Sequence, residues 1–178
     1  MTEKARIATL WLDGCSGCHM SLLDIDERLL DIAGKIELVY SPVVDAKEFP
    51  ENVDLTLVEG AIASDEDIEK IKLVRSRTKL LVALGDCAVT GNVPAMRNNF
   101  LLEDVLHCGY VENATDNPGT PTIEVPKLEP KVIPLHELVP VDLFVPGCPP
   151  SADLIFFVLS EVLAGRVPDL ATQCHFGN

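Results

Sequence analysis

The stretch Ile7-Ala8-Thr9-Leu10-Trp11-Leu12-Asp13-Gly14-Cys15-Ser16-Gly17-Cys18-His19 sets two cysteines in a glycine-containing turn directly after a short apolar run. A run of that length reads as a buried β-strand, and the glycines mark where the chain leaves it. The same pattern recurs downstream. Leu55 to Val58 is followed by Glu59-Gly60, Lys79 to Leu84 by Gly85-Asp86-Cys87-Ala88-Val89-Thr90-Gly91-Asn92, and Val141 to Val145 by Pro146-Gly147-Cys148-Pro149-Pro150-Ser151. With a further strand at Ile36 to Tyr40, four of five strand ends carry a thiol or a carboxylate.

Helical signals fill the gaps between these runs. From about Met20 to Ile32, the spacing of Leu22, Leu23, Ile25, Leu29, Leu30 and Ile32 predicts one helix with an apolar face, stopped at Gly34. Ser64-Asp65-Glu66-Asp67 supplies a cap and an acidic first turn for a second. A last helix is expected from about Ser151 to Leu163, ending near Gly165 with Pro168 beyond. Alternating strands and helices specify an α/β fold, an open parallel sheet with helices on both faces. Such sheets gather ligands beyond the carboxyl ends of their strands, so Cys15, Cys18, Cys87 and Cys148 are expected to meet there. Residues 111–140 break the pattern: Pro118, Pro121, Pro126, Pro130, Pro134 and Pro140 read as an extended surface excursion within a single domain spanning 1–178.

Composition removes several functional classes. Fourteen Lys and Arg against 28 Asp and Glu give a net charge of -14, which argues against nucleic acid or an anionic membrane surface as partner. Mean hydropathy is +0.22, and 47% of residues are hydrophobic. No apolar run approaches the roughly 18 residues of a membrane span, so the surplus is assigned to a subunit interface. The first residues, Met1-Thr2-Glu3-Lys4-Ala5-Arg6, lack the pattern of a signal peptide, and a cytoplasmic location is expected. In a reducing compartment six cysteines point to metal binding or redox chemistry rather than to disulfides.

Cys15-x-x-Cys18-His19 fits a covalent haem attachment pattern, and Cys15 near a helix start fits a reactive dithiol. Both leave Cys87 and Cys148 unexplained. Four thiolates suit zinc or an iron-sulfur cluster. Structural zinc more often uses two local Cys-x-x-Cys knuckles, whereas one pair and two singletons from separate loops match the larger cubane. Glu59 is a candidate to tune charge beside the cluster, and His19, next to a ligand, is a candidate to face a partner. His107, His136 and His175 lack ligand spacing, and Cys108 and Cys174 read as structural.

The four motifs, in order and across nearly the whole chain, resemble those of the small subunit of nickel-iron hydrogenases. The resemblance implies a flavodoxin-like fold, with Cys15, Cys18, Cys87 and Cys148 as ligands of one proximal 4Fe-4S cluster. It implies a large-subunit partner carrying the nickel-iron centre, since this chain has only one Cys-x-x-Cys pair. The related quinone-reductase subunit of respiratory complex I uses adjacent cysteines in the first motif; here Ser16 and Gly17 separate them. Larger hydrogenase small subunits continue into a domain for further clusters, and the short form resembles that of cytoplasmic NAD-linked hydrogenases, which pass electrons to diaphorase subunits with flavin and iron-sulfur clusters. A flavin on this chain is permitted by such a fold. A quinone-linked complex and a zinc-stabilised binding module are the alternatives.

Overall fold

A computed structural model describes residues 4–171 and 173–174; His175 lies outside them. Seven strands form: β1 Ala5–Trp11, β2 Ile36–Tyr40, β3 Val53–Glu59, β4 Ile62–Ser64, β5 Thr78–Leu84, β6 Leu128–Ile133 and β7 Leu143–Val145. Five build one parallel sheet in the order β2-β1-β3-β5-β7; β4 and β6 pair separately and antiparallel. With that two-stranded pair set apart, the order is that of flavodoxin-like doubly wound sheets.

The helices are α1 Gly17–Leu23, α2 Leu29–Ala33, α3 Asp65–Arg77, α4 Asp86–Thr90, α5 Leu102–His107 and α6 Ala152–Leu163. Because both faces of a parallel sheet are covered, its strands are apolar on both sides. Ile7, Leu55, Leu57, Val82 and Leu84 pack with Ile25 and Ile32 and with Leu154, Ile155, Val158 and Leu159 of α6. On the other face Ala8, Leu10, Val58, Leu81 and Ala83 pack with Ile71 and Val74 of α3 and Ala88 of α4. A capping box starts α3: Ser64 Oγ accepts from Asp67 N at 3.2 Å and Asp67 Oδ2 from Ser64 N at 3.0 Å. Among the described residues no helix is long and apolar enough to cross a membrane.

Three expectations change. The helix over 20–32 is broken: α1 ends at Leu23, a 3-10 turn covers Asp26–Arg28, and Asp26 takes φ 57. Aspartate tolerates that conformation, whereas the apolar spacing on which the helix was predicted persists through the break because both pieces face the same sheet. Residues 111–140 are not all irregular, since β6 lies within them and pairs with β4. After Gly85 the chain enters a short helix rather than a plain turn.

Register fixes where the site forms. Trp11 pairs with Glu59, Glu59 with Leu84 and Leu84 with Val145, one row across the carboxyl edge. Cys15, Cys87 and Cys148 follow three or four residues beyond that row, so their loops rise from one level.

Candidate metal centre

The loops after β1 and β3 are locked backbone to backbone. Leu12 N donates to Glu59 O at 3.0 Å, Asp13 N to Ala61 O at 3.1 Å, and Ala61 N to Asp13 O at 2.7 Å. Gly60 sits at φ 91, and a Cβ there would lie 2.7 Å from the Leu12 carbonyl carbon, so no side chain fits between these loops. Trp11 Nε1 donates to Gly14 O at 3.2 Å and braces the first turn.

The loops that carry Cys87 and Cys148 are tied to each other. Gly85 N donates to Val145 O and Asp86 N to Gly147 O, each at 2.8 Å, while Asp86 Oδ1 accepts from Gly147 N at 2.7 Å. Ser21 Oγ of α1 donates to Pro150 O at 2.5 Å, joining the first loop to the last. Asn92 Nδ2 lies 3.5 Å from Cys148 Sγ. Sequence patterns assigned no role to Asp86, Ser21 or Asn92; Asp86 and Asn92 stand within the glycine-framed motif around Cys87, whereas nothing local marks Ser21.

These ties bring the four thiols together. Cys18 Sγ sits against Gly85, where a Cβ would come within 2.2 Å of it, which places the first thiol pair over the start of the helix that carries Cys87. Burial pushes the Cys18 thiol well above the usual range, with Glu59, Cys87, Cys15 and Cys148 adding to the rise. Burial likewise raises Cys87 to about 11, with Cys148, Cys15, Glu59 and Asp13 contributing. Cys18 therefore lies within electrostatic reach of Cys15, Cys87 and Cys148, and Cys87 within reach of Cys15 and Cys148. Cys18 and Cys87 are half-buried and Cys15 and Cys148 exposed, so the cradle opens at the surface. No three His, Cys, Asp or Glu side chains among the described residues are grouped as a single metal ion requires. A donor set of four thiols, spread over three loops around a Cβ-free floor, fits a group larger than one ion.

Glu59 is at the strand end, as expected, and buried to 2% exposure. Its Oε2 accepts from His19 N at 2.6 Å, and His19 Nδ1 lies 2.7 Å from the same oxygen. His19 Nε2 is 2.9 Å from Thr9 Oγ1, which donates to Ser41 Oγ at 2.8 Å. His19 therefore does not face outward toward a partner: it is 7% exposed and turned into the protein, where Glu59 and Thr9 satisfy both ring nitrogens. The carboxylate holds the backbone one residue past Cys18 and so fixes the loop of that cysteine.

The remaining candidates lie apart. Cys108 is exposed and touched by Asn113 Nδ2 at 3.3 Å, and Cys174 packs against the α6 side of the core. His107 pairs with Glu112 at 3.3 Å, and His136 stacks edge-on with Phe144. Part of the 111–140 segment, including Thr120 to Thr122 and Val125 to Leu128, walls an open cleft of about 850 Å³ beside Trp11 and Asp13.

The model of the family described as NADH ubiquinone oxidoreductase, 20 Kd subunit, matches residues 15–162. The NAD-reducing hydrogenase HoxS subunit delta of Cupriavidus necator is 44% identical over 96% of this chain and 84% of its own length. A subunit of the vhu F420-non-reducing hydrogenase of Methanocaldococcus jannaschii is 38% identical over 97% of this chain, which spans only 61% of that protein. Among solved structures, a chain of an NAD+-reducing nickel-iron hydrogenase in its hydrogen-reduced state superposes with TM-score 0.93 at 39% identity, covering 98% of this chain and 99% of that one.

Proposed function

The chain belongs to the hydrogenase small-subunit branch of the NADH ubiquinone oxidoreductase 20 Kd subunit family, and from that membership we propose that it is the electron-transfer subunit of an NAD-linked nickel-iron hydrogenase. Cys15, Cys18, Cys87 and Cys148 hold one 4Fe-4S cluster, which when bound takes up and releases one electron at a time. The nickel-iron centre that splits hydrogen belongs to a large-subunit partner, and a diaphorase module exchanges electrons with NAD.

The observation that carries this reading is the convergence of four thiols from three strand-end loops, with Cys18 Sγ seated on Gly85. Glu59, Asp86 and Ser21 hold those loops without using the thiols, leaving all four for the metal group. Exposed apolar side chains support a partner at this edge: Trp11 at 48% and Met20 at 50% flank the first thiol pair, and Val93 at 61% and Met96 at 65% follow Asn92.

The test is metal content and spectroscopy of the complex purified without oxygen. About four irons and matching acid-labile sulfide on this chain are expected for one cubane, together with a reduced-state EPR signal. Cys87→Ala or Cys148→Ala removes that signal; an unchanged signal refutes the ligand assignment. Zinc without sulfide would replace the relay with a structural site. The description of the matched family favours a quinone-linked complex as the second reading. Hydrogen-dependent NAD reduction by the intact complex separates the two, since a quinone-linked complex shows none.

A further inference from the structure

Asn92 is the one side chain among the described residues that donates a hydrogen bond to any of the four candidate ligand sulfurs, with Nδ2 3.5 Å from Cys148 Sγ. It stands outside the Cys148 loop, just past the helix that carries Cys87. Helix α4 closes where Gly91, at φ 86, donates to Cys87 O at 3.0 Å, and Asn92 follows with φ 34. That left-handed turn carries the amide back from the Cys87 helix to the loop of Cys148.

The segment beyond Asn92 is pinned to the two-stranded sheet. Ala95 N donates to the carbonyls of Gly91 and Asn92, each at 3.1 Å. In the 3-10 helix Pro94–Asn99, Asn98 Nδ2 donates to Val132 O and Asn98 Oδ1 accepts from Val132 N, both at 2.8 Å. Arg97 adds a bond to Glu129 O at 2.9 Å. The donor is thus anchored through β6, in the two-stranded sheet, rather than through the loop whose sulfur it meets.

We propose that Asn92 sets the reduction potential of the cluster by donating its side-chain N–H to Cys148 Sγ, resting on the assignment of Cys148 as a ligand. One-electron reduction would leave a bound cluster more negative, with part of the added charge on its sulfurs. An N–H aimed at one of them then binds more strongly in the reduced state and raises the potential. Asn92 is a positioning and tuning residue; it exchanges no electron or proton.

The experiment is an EPR-monitored redox titration of the anaerobically purified complex, with iron and sulfide counted in every sample. Asn92→Ala lowers the midpoint, by roughly two- to tenfold in the reduction equilibrium if the whole net worth of one hydrogen bond is lost. Tenfold corresponds to about 59 mV for one electron. Asn92→Asp keeps the size, removes the donor and adds negative charge, and lowers the midpoint at least as far. Asn113→Ala, which removes the amide at Cys108, leaves it unchanged. Unchanged midpoints in Asn92→Ala and Asn92→Asp with full iron overturn the proposal, as does loss of the cluster in both, which would make Asn92 structural. If Asn92→Ala alone loses the cluster, the midpoint of Asn92→Asp decides. A wild-type complex without iron on this chain defeats the ligand assignment itself, a result distinct from an unchanged potential.

Discussion

Gly85→Ala tests whether Cys18 belongs to the same centre as Cys87. A Cβ at position 85 would lie 2.2 Å from Cys18 Sγ. Ordinary non-bonded contact begins at about 3.5 Å, so the sulfur must retreat by about 1.3 Å. Metal-ligand distances tolerate roughly 0.2 Å, so Cys18 cannot keep a ligand position in the substituted protein. The backbone adds its own penalty. Gly85 has φ 84 and ψ 160, a region essentially restricted to glycine, where a side chain costs about 1–3 kcal/mol. For a chain of this size that lowers the melting temperature by about 2–12 °C. Gly34→Ala is the matched control: Gly34 has φ -69, and nothing lies within 4 Å of an added Cβ. There the same change is expected to stabilise by about 0.4–1 kcal/mol through the unfolded chain. The assay pairs iron and sulfide counts on the anaerobic complex with thermal melts of the metal-free chain. Gly85→Ala with its full iron, an unaltered EPR spectrum and an unshifted melt refutes the placement of Cys18.

Three further outcomes follow from the loops and their charges. Asp86→Ala strips a carboxylate acceptor from Gly147 N and should cost roughly 1.5–3 kcal/mol by denaturant titration, with iron lost as the Cys148 loop loosens. Wild-type stability with full iron would show that the loop is held elsewhere. The metal-free chain should lose stability as pH rises: Cys87, lifted to about 11 chiefly by burial, keeps its proton when folded, whereas in the unfolded chain it ionises near the free-thiol value of about 8.5. The folded state then binds more protons between those values, so a denaturation midpoint that does not fall across that window contradicts the thiol cluster. Ser64→Ala removes the α3 cap at a cost of about 1 kcal/mol without changing iron content, because the Ser64 hydroxyl bonds Asp67 and ties none of the cysteine loops; iron loss there would mean that any destabilisation, rather than a change at the site, empties the cradle.

The parts of the site legible in the sequence are those that local pattern encodes. Short apolar runs located the sheet strands, and the glycine-framed thiols after β1, β5 and β7 named the ligand candidates because the register puts Trp11, Glu59, Leu84 and Val145 in one row. What binds the loops was not legible. Asp86 and Gly147 are 61 residues apart and Ser21 and Pro150 are 129 apart, and no periodicity reports a hydrogen bond across such separations. The break between α1 and α2 escaped for a different reason: apolar spacing records which face is buried, and Ile25 and Ile32 stay on that face on either side of the turn at Asp26. Strand β6 was hidden by Pro130, which an edge strand tolerates because one side of its backbone needs no donor. His19 was misplaced because adjacency to Cys18 says nothing of direction. In a turn leading into a helix, successive residues point to different sides, and the buried carboxylate of Glu59 claims the ring.

The division of labour within the site explains why its loops are tied by groups other than the cysteines. Burial and mutual repulsion hold protons on Cys18 and Cys87, so neither thiol is preset as the thiolate a metal needs. If those thiols also carried the loop geometry, the cradle would have to form and deprotonate together with metal binding. Here backbone bonds between Asp13 and Ala61, the Asp86 carboxylate on Gly147 and the Ser21 hydroxyl on Pro150 set the loops independently of thiol ionisation. Binding of the proposed cluster would then release protons without having to order the backbone, the ordering cost being met when the sheet folds. Glu59 shows both sides of this arrangement: its charge raises the thiols, which opposes ionisation, while its oxygen fixes the backbone after Cys18. The buried carboxylate beside these thiols is compensated by His19, which meets it twice, through the main chain and through the ring.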